Sequence, residues 1–171
     1  MLGSEDVGLL VLVNEEHTRQ LTIPCDREMK YQFSIRMNQM PFSLPHLPEV
    51  MSRWIGMQHE VKLEILISGI VSGEYRTYLY DVSKKEYIQM RASDAVLFSY
   101  VGGFPIYIDE ALMQRQSIAY KENAGGISLP INSLSENMLQ TALDKAIKEE
   151  RYEMAAFLAD ELKKRKGKSG K

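Results

Sequence analysis

Met90-Arg91-Ala92-Ser93-Asp94-Ala95-Val96-Leu97-Phe98-Ser99-Tyr100-Val101-Gly102-Gly103-Phe104-Pro105-Ile106-Tyr107-Ile108 joins a polar cluster to a helix, a glycine stop and a strand. Ser93 is placed to cap the helix, because a serine hydroxyl accepts a hydrogen bond from a backbone N–H two or three residues on. Asp94 then falls in the first turn, where the helix dipole favours a carboxylate. Ala95 to Val101 is apolar on most sides, the pattern of a buried helix. Gly102-Gly103 ends it, and Phe104 to Ile108 reads as a short strand with Pro105 near its start, where a missing N–H is tolerated. A buried helix and strand should therefore present Arg91, Ser93 and Asp94 together at one end.

Outward from this stretch the chain reads as an α+β (mixed α/β) body. Val61, Leu63, Ile65 and Ile67 alternate with Lys62, Glu64, Leu66 and Ser68, the period of a strand with one buried face. Tyr75-Arg76-Thr77-Tyr78-Leu79-Tyr80 follows Ser72-Gly73, so a hairpin through a short glycine turn is expected. Strands are expected at 7–13, 19–24, 60–70, 74–82, 86–90 and 105–108, and helices at 26–38, 47–56, 93–101 and 109–115. These make a mixed sheet of about six strands with packed helices. Met40 to Pro48 holds three prolines and reads as a loop, and 116–134, with Gly125-Gly126 and Pro130, reads as a connector in which Ile127 to Ile131 docks as an extended piece.

A chain of 171 residues suits one domain plus an appendage, large enough for an ordinary core. The single Cys25 excludes an internal disulfide and a multi-cysteine zinc site. With no charged and apolar leader at the amino terminus, a cytoplasmic soluble protein without membrane contact is the expectation. Charge is uneven. Residues 1–144 carry 12 Lys and Arg against 18 Asp and Glu, and residues 145–171 carry 9 against 5. The acidic main body counts against sequence-independent binding of a polyanion, which draws on a basic face.

The last 37 residues form a second module. Ser135 is a helix cap, Leu139, Leu143 and Ile147 recur every four residues, and Tyr152 opens a segment with Ala155, Ala156, Ala159 and Leu162. Two short helices in a hairpin result, with an alanine face that permits close packing. Such a unit buries little on its own, so residues 135–165 are expected to associate with another subunit or dock elsewhere.

Two family resemblances follow. The Arg91-x-Ser93-Asp94-Ala95 run, the apolar helix, the glycine turn and the Pro105-Ile106-Tyr107-Ile108 strand with acidic residues after it resemble the core signature of the bifunctional nuclease domain family. The resemblance reaches back to Val7, taking in Gly8 to Val13 and Arg19 to Pro24 as an opening hairpin. It implies a mixed α/β domain, commonly a homo-oligomer (dimer or higher), with some members acting on both DNA and RNA. Ala92 stands where the family usually has proline, and Leu44-Pro45-His46-Leu47-Pro48-Glu49 stands where it usually has a Thr-His-Asp-like run. The segment from Ala146 to Lys163 is similar to the UVR motif, the helical hairpin through which excinuclease B and C subunits meet. That likeness implies Glu150, Arg151, Tyr152, Ala155, Ala156 and Leu162 as partner-binding residues. The implied domains are 1–130 for the nuclease-like body, 131–134 as linker, 135–166 for the hairpin and 167–171 as a disordered basic tail.

Each candidate catalytic group has a second reading. Asp94 is a metal ligand or general base, or a carboxylate stabilised by the helix dipole. Arg91 clamps a phosphate, or pairs with Asp94 or another carboxylate to fix the strand–helix junction. Ser93 is a nucleophile candidate but reads as a cap. His17 belongs in the first hairpin turn and His59 before a strand, leaving His46 in the proline-rich loop as the histidine to test. Asp81, Asp109 and Glu110 lie at element ends, the last two equally as the acidic start of a helix. Tyr75, Tyr78 and Tyr80 stack bases or pack across strands. Two functions remain: a nuclease assisted by Mg²⁺ or Mn²⁺ through Asp94, and a non-catalytic oligomeric adaptor whose hairpin recruits a protein.

Overall fold

In a computed structural model, residues 7–41, 44–120, 134 and 136–168 are described. Strands β1 (Val7–Val13) and β2 (Arg19–Asp26) form an antiparallel hairpin in which Val7 pairs with Asp26 and Val13 with Gln20. Asn14 makes the reversal: its side-chain oxygen accepts from the N–H groups of Thr18 at 2.9 Å and Arg19 at 2.8 Å, and His17 takes the positive φ of 54°. Residues 20–23 of β2 are all buried, so this strand is covered on both faces. Asp26 ends β2 and caps α1 (Arg27–Met37), accepting from the Met29 N–H at 2.7 Å. After α2 (Leu47–Gly56) come β3 (Leu63–Val71), β4 (Glu74–Asp81) and β5 (Glu86–Met90). Ser72 and Gly73, at φ of 52° and 84°, make the two-residue turn between β3 and β4.

Helix α3 (Ala92–Gly102) leads to β6 (Ile106–Ile108), which lies parallel to β3 with Ile65 opposite Ile106. Then come α4 (Glu110–Gln116) and β7 (Ile118–Ala119), a two-residue strand paired with β2 inside the expected connector. The α+β class stands, but the strands divide between two sheets, β1-β2-β7 and β5-β4-β3-β6, instead of forming one of six. Leu21, Ile23, Ile65, Ile67 and Leu112 are fully buried in this body, joined by Ala95 and Leu97 of α3. Gly103 at φ 68° closes α3 by donating to the Ser99 carbonyl.

Ser93 is not the cap. α3 begins at Ala92 with Arg91 at the N-cap position, and Ser93 lies inside the first turn, 3% exposed. Starting earlier places Ala92 and Ser93 against the core, and an Arg91–Asp94 ion pair spans the turn in place of a hydroxyl cap. Tyr75 is also buried, donating its hydroxyl to the Thr22 carbonyl at 3.1 Å. Tyr78 meets Tyr87 edge-on with ring centres 5.3 Å apart, a cross-strand contact, with Tyr87 otherwise exposed.

Contacts divide the described residues into two compact units: one holds 7–41, 44–69 and 75–120, the other 70–74, 134 and 136–168. In the second, α5 (Glu136–Lys148) and α6 (Tyr152–Lys168) form a packed pair around Leu134, Leu139, Ala142, Ala146, Ala155, Leu158 and Leu162. The buried stripe of α5 follows 139, 142 and 146; Leu143 is partly buried and Ile147 faces out, because a 3.6-residue turn drifts from a strict four-residue spacing. α6 continues to Lys168, past the start expected for a tail. Ser135 and Ile127 to Ile131 lie outside the described residues. No described helix is long and apolar enough to cross a membrane.

Candidate functional site

The end of the buried strand β2 and the start of α3 build the site. β2 stops at Asp26 because the chain turns into α1 there, and β5 stops at Met90, just before Arg91 starts α3. Arg91 Nε and Nη2 donate to the two oxygens of Asp94 at 2.8 and 3.1 Å, a side-on bidentate pair. Its Nη1 donates to Asp26 Oδ2 at 2.6 Å. Both expected fates of Arg91 as an ion-pair partner are thus realised at once, on Asp94 and on a second carboxylate. The cluster is open to solvent, with the Arg91 side chain 56% exposed.

The electrostatics follow from these bonds. The Met29 N–H holds the Asp26 carboxyl below the ordinary carboxylate range; burial opposes this, and the bond and charge of Arg91 add to it. Asp94, through its hydrogen bonds, raises the pKa of Arg91, burial opposes, and Asp26 adds to the rise. One guanidinium faces two carboxylates, leaving one net negative charge. Among the described residues three of the five N–H donors of Arg91 are used, so two remain for an incoming oxygen. Beside the cluster, burial and then Asp26 push the Cys25 thiol up to about 11, which keeps it protonated and poorly nucleophilic near neutrality. Gly8 of β1 lies over it: a Cβ there would meet Cys25 Sγ at 2.6 Å.

The donor set does not fit a resident metal as it stands. No group of three or more His, Cys, Asp or Glu gathers among the described residues. The four oxygens of Asp26 and Asp94 already accept hydrogen bonds, one from the Met29 N–H and three from a guanidinium that repels a second cation.

The other candidates lie elsewhere. Ser93 is buried in the first turn of α3, and His46 stands at the N-cap position of α2 without a side-chain cap bond. His17 and His59 are exposed, the first in the β1–β2 turn and the second ahead of β3. Asp109 caps α4 through the Leu112 N–H at 2.8 Å, with Glu110 in its first turn. Asp81 accepts from the Ser83 and Lys84 N–H groups in a turn. In the hairpin, Glu150, Arg151, Tyr152 and Ala156 are exposed, while Ala155 and Leu162 belong to its own core. Asp26 is the residue that sequence reasoning missed. Its signal was a helix start, Asp followed by Arg27-Glu28, which announces a cap and says nothing of a partner 65 residues away.

A family model described as the bifunctional nuclease domain matches residues 10–121, about two thirds of the chain and the whole of this cluster. No curated protein matches the chain.

Proposed function

This chain belongs to the bifunctional nuclease domain family, and we propose on that premise that it hydrolyses phosphodiester bonds of DNA or RNA at Asp26, Arg91 and Asp94. One observation carries the placement: an exposed guanidinium held in plane by two carboxylates, with two N–H donors to spare. Asp94 is then a positioning residue that fixes the plane of Arg91. The spare donors offer a fork to the phosphate oxygens and balance charge that grows on them as water attacks. Asp26 Oδ2 is the acceptor beside that fork. As water oxygen bonds to phosphorus, its proton passes to Asp26, the bond to the departing sugar oxygen breaks, and that oxygen takes a proton from solvent. The Met29 N–H keeps the other Asp26 oxygen in place throughout. Ser93 and His46 are assigned no step.

Fluorescent single-stranded DNA and RNA, incubated with purified full chain in Mg²⁺, Mn²⁺ or chelator, tests this reading. Arg91→Ala and Asp26→Asn, shown folded by circular dichroism, should each lose about 10²-fold in rate. Equal cleavage by all three proteins would remove the cluster from the chemistry, and the metal arms decide whether Mg²⁺ or Mn²⁺ takes part.

A second reading is favoured by one feature of the hairpin, which buries its own core yet leaves Tyr152 and Phe157 more than half exposed. In it the chain is an adaptor, and Glu150, Arg151, Tyr152 and Ala156 meet a protein partner. No cleavage in any arm moves the assignment there.

A further inference from the structure

The two carboxylates of the cluster outweigh its one guanidinium, and a phosphodiester brings a further negative charge. A nearby cation has to offset that repulsion, and the fold supplies one at Lys30. Asp26 caps α1 and Lys30 lies four residues on, so the two stand on one side of the helix. Such a pair ordinarily forms a salt bridge. Here both Asp26 oxygens are committed, Oδ1 to the Met29 N–H at 2.7 Å and Oδ2 to Arg91 Nη1 at 2.6 Å. Lys30 is exposed and makes no ion pair among the described residues.

A glycine places the stem of this lysine. Gly8 of β1 pairs with Cys25 of β2, and a Cβ on Gly8 would come within 2.9 Å of Lys30 Cβ and 3.3 Å of its Cγ. With hydrogen alone at that position, the stem packs on β1 beside the Cys25 thiol. The charge of Lys30 is felt there: burial and then Asp26 push the thiol up, while Arg91 and after it Lys30 pull it back. Two cations from different elements therefore act on one residue, the neighbour of Asp26. Arg27 is next to Asp26 in sequence, yet its charge is not among those acting on the thiol.

We propose that Lys30 is a second phosphate-binding residue of this site, holding the backbone phosphate beside the one that the Arg91 fork receives, so that the ligand is a strand with at least two phosphates. This rests on the reading of the Asp26, Arg91 and Asp94 cluster as a phosphate site. Lys30 forms no ion pair with either carboxylate among the described residues, which sets it off from the position where the fork works. An ammonium on a flexible stem suits that place: it holds a phosphate as a point charge, while the planar fork fixes the orientation of the scissile group. Lys30 binds the strand and takes no proton.

Fluorescence anisotropy of the full chain with a phosphorothioate single strand of about 12 nucleotides, which keeps its charge and resists hydrolysis, tests this across a salt series. Lys30→Gln keeps the stem on Gly8 and loses the charge. It should weaken binding about fivefold near 0.1 M salt and make the slope of log Kd against log salt shallower by about 0.7, the share of one phosphate on a single strand. Lys30→Arg should restore both, and Arg27→Gln, an equal loss of charge, should leave the slope as it is. Wild-type affinity and slope in Lys30→Gln, with binding weakened in Arg91→Ala, overturn this proposal alone and leave the cluster a phosphate site. An Arg27→Gln variant that matches Lys30→Gln in both readouts overturns it in favour of net charge. A weakened Lys30→Gln with an unchanged slope overturns it in favour of a structural role. No binding by wild type overturns it together with the reading of the cluster. Binding that depends on Lys30 in a chain that cleaves neither DNA nor RNA supports the placement of Lys30 and removes the hydrolysis.

Discussion

Helices α2 and α3 pack against each other and differ by one residue in length, 10 against 11, yet they sit at opposite extremes of burial. α3 buries Ala92, Ser93, Ala95, Val96 and Leu97, while α2 buries Ile55 alone. α3 is apolar nearly all round, so either side can meet the core. α2 has two distinct faces, and the charged partner it needs lies on the core side. An apolar stripe alone does not decide which side of a helix the core covers; a buried ion pair elsewhere on the helix can decide it.

Three measurements break or sharpen that contrast. Leu97→Ala should be the costliest, lowering stability by about 3 to 5 kcal/mol in urea unfolding, since the side chain is 5% exposed and leaves a cavity. A loss below about 1 kcal/mol would mean that the surroundings of α3 collapse freely. Glu49→Gln should cost less, about 1 to 3 kcal/mol, by leaving the buried Arg36 guanidinium with a neutral acceptor. The same variant carries a pH signature. Burial pushes the Glu49 carboxyl up, and the hydrogen bond and charge of Arg36 more than offset it, so its folded value lies below the ordinary one. A depressed carboxyl stabilises fully above its unfolded value and loses that contribution as pH falls through the folded value, so wild type should weaken in this acid window more than the Gln variant. Identical acid limbs would contradict this. Leu47→Ser should have the least effect, within about 0.5 kcal/mol, because that side chain is 72% exposed.

The sequence makes local features legible and leaves distant meetings hidden. Alternation in 61–68 and the Ser72-Gly73 turn identify β3 and β4, because period and turn chemistry are short-range properties. The spacing of Arg91 and Asp94 allows an ion pair across one helical turn, and that pair forms. Ser93 misleads because a good capping residue also fits the buried first turn of a helix that begins earlier. β7 is too short, at two residues, to show any period. Asp26 escapes notice because its contact with Arg91 depends on where two sheets end, which no window of sequence contains.

That contact between Asp26 and Arg91 bears on how the molecule comes into being. The two residues stand 65 apart in sequence with β3, β4 and β5 between them, so the bond closes a long loop whose entropic cost grows slowly with length but must be met before the contact returns anything. A chain emerging residue by residue has the β1–β2 hairpin and the cap of α1 early, while the guanidinium that joins them arrives with the start of α3. The cluster therefore needs the chain at least as far as the start of α3, and a chain that ends before it keeps Asp26 and the cap of α1 without the cluster.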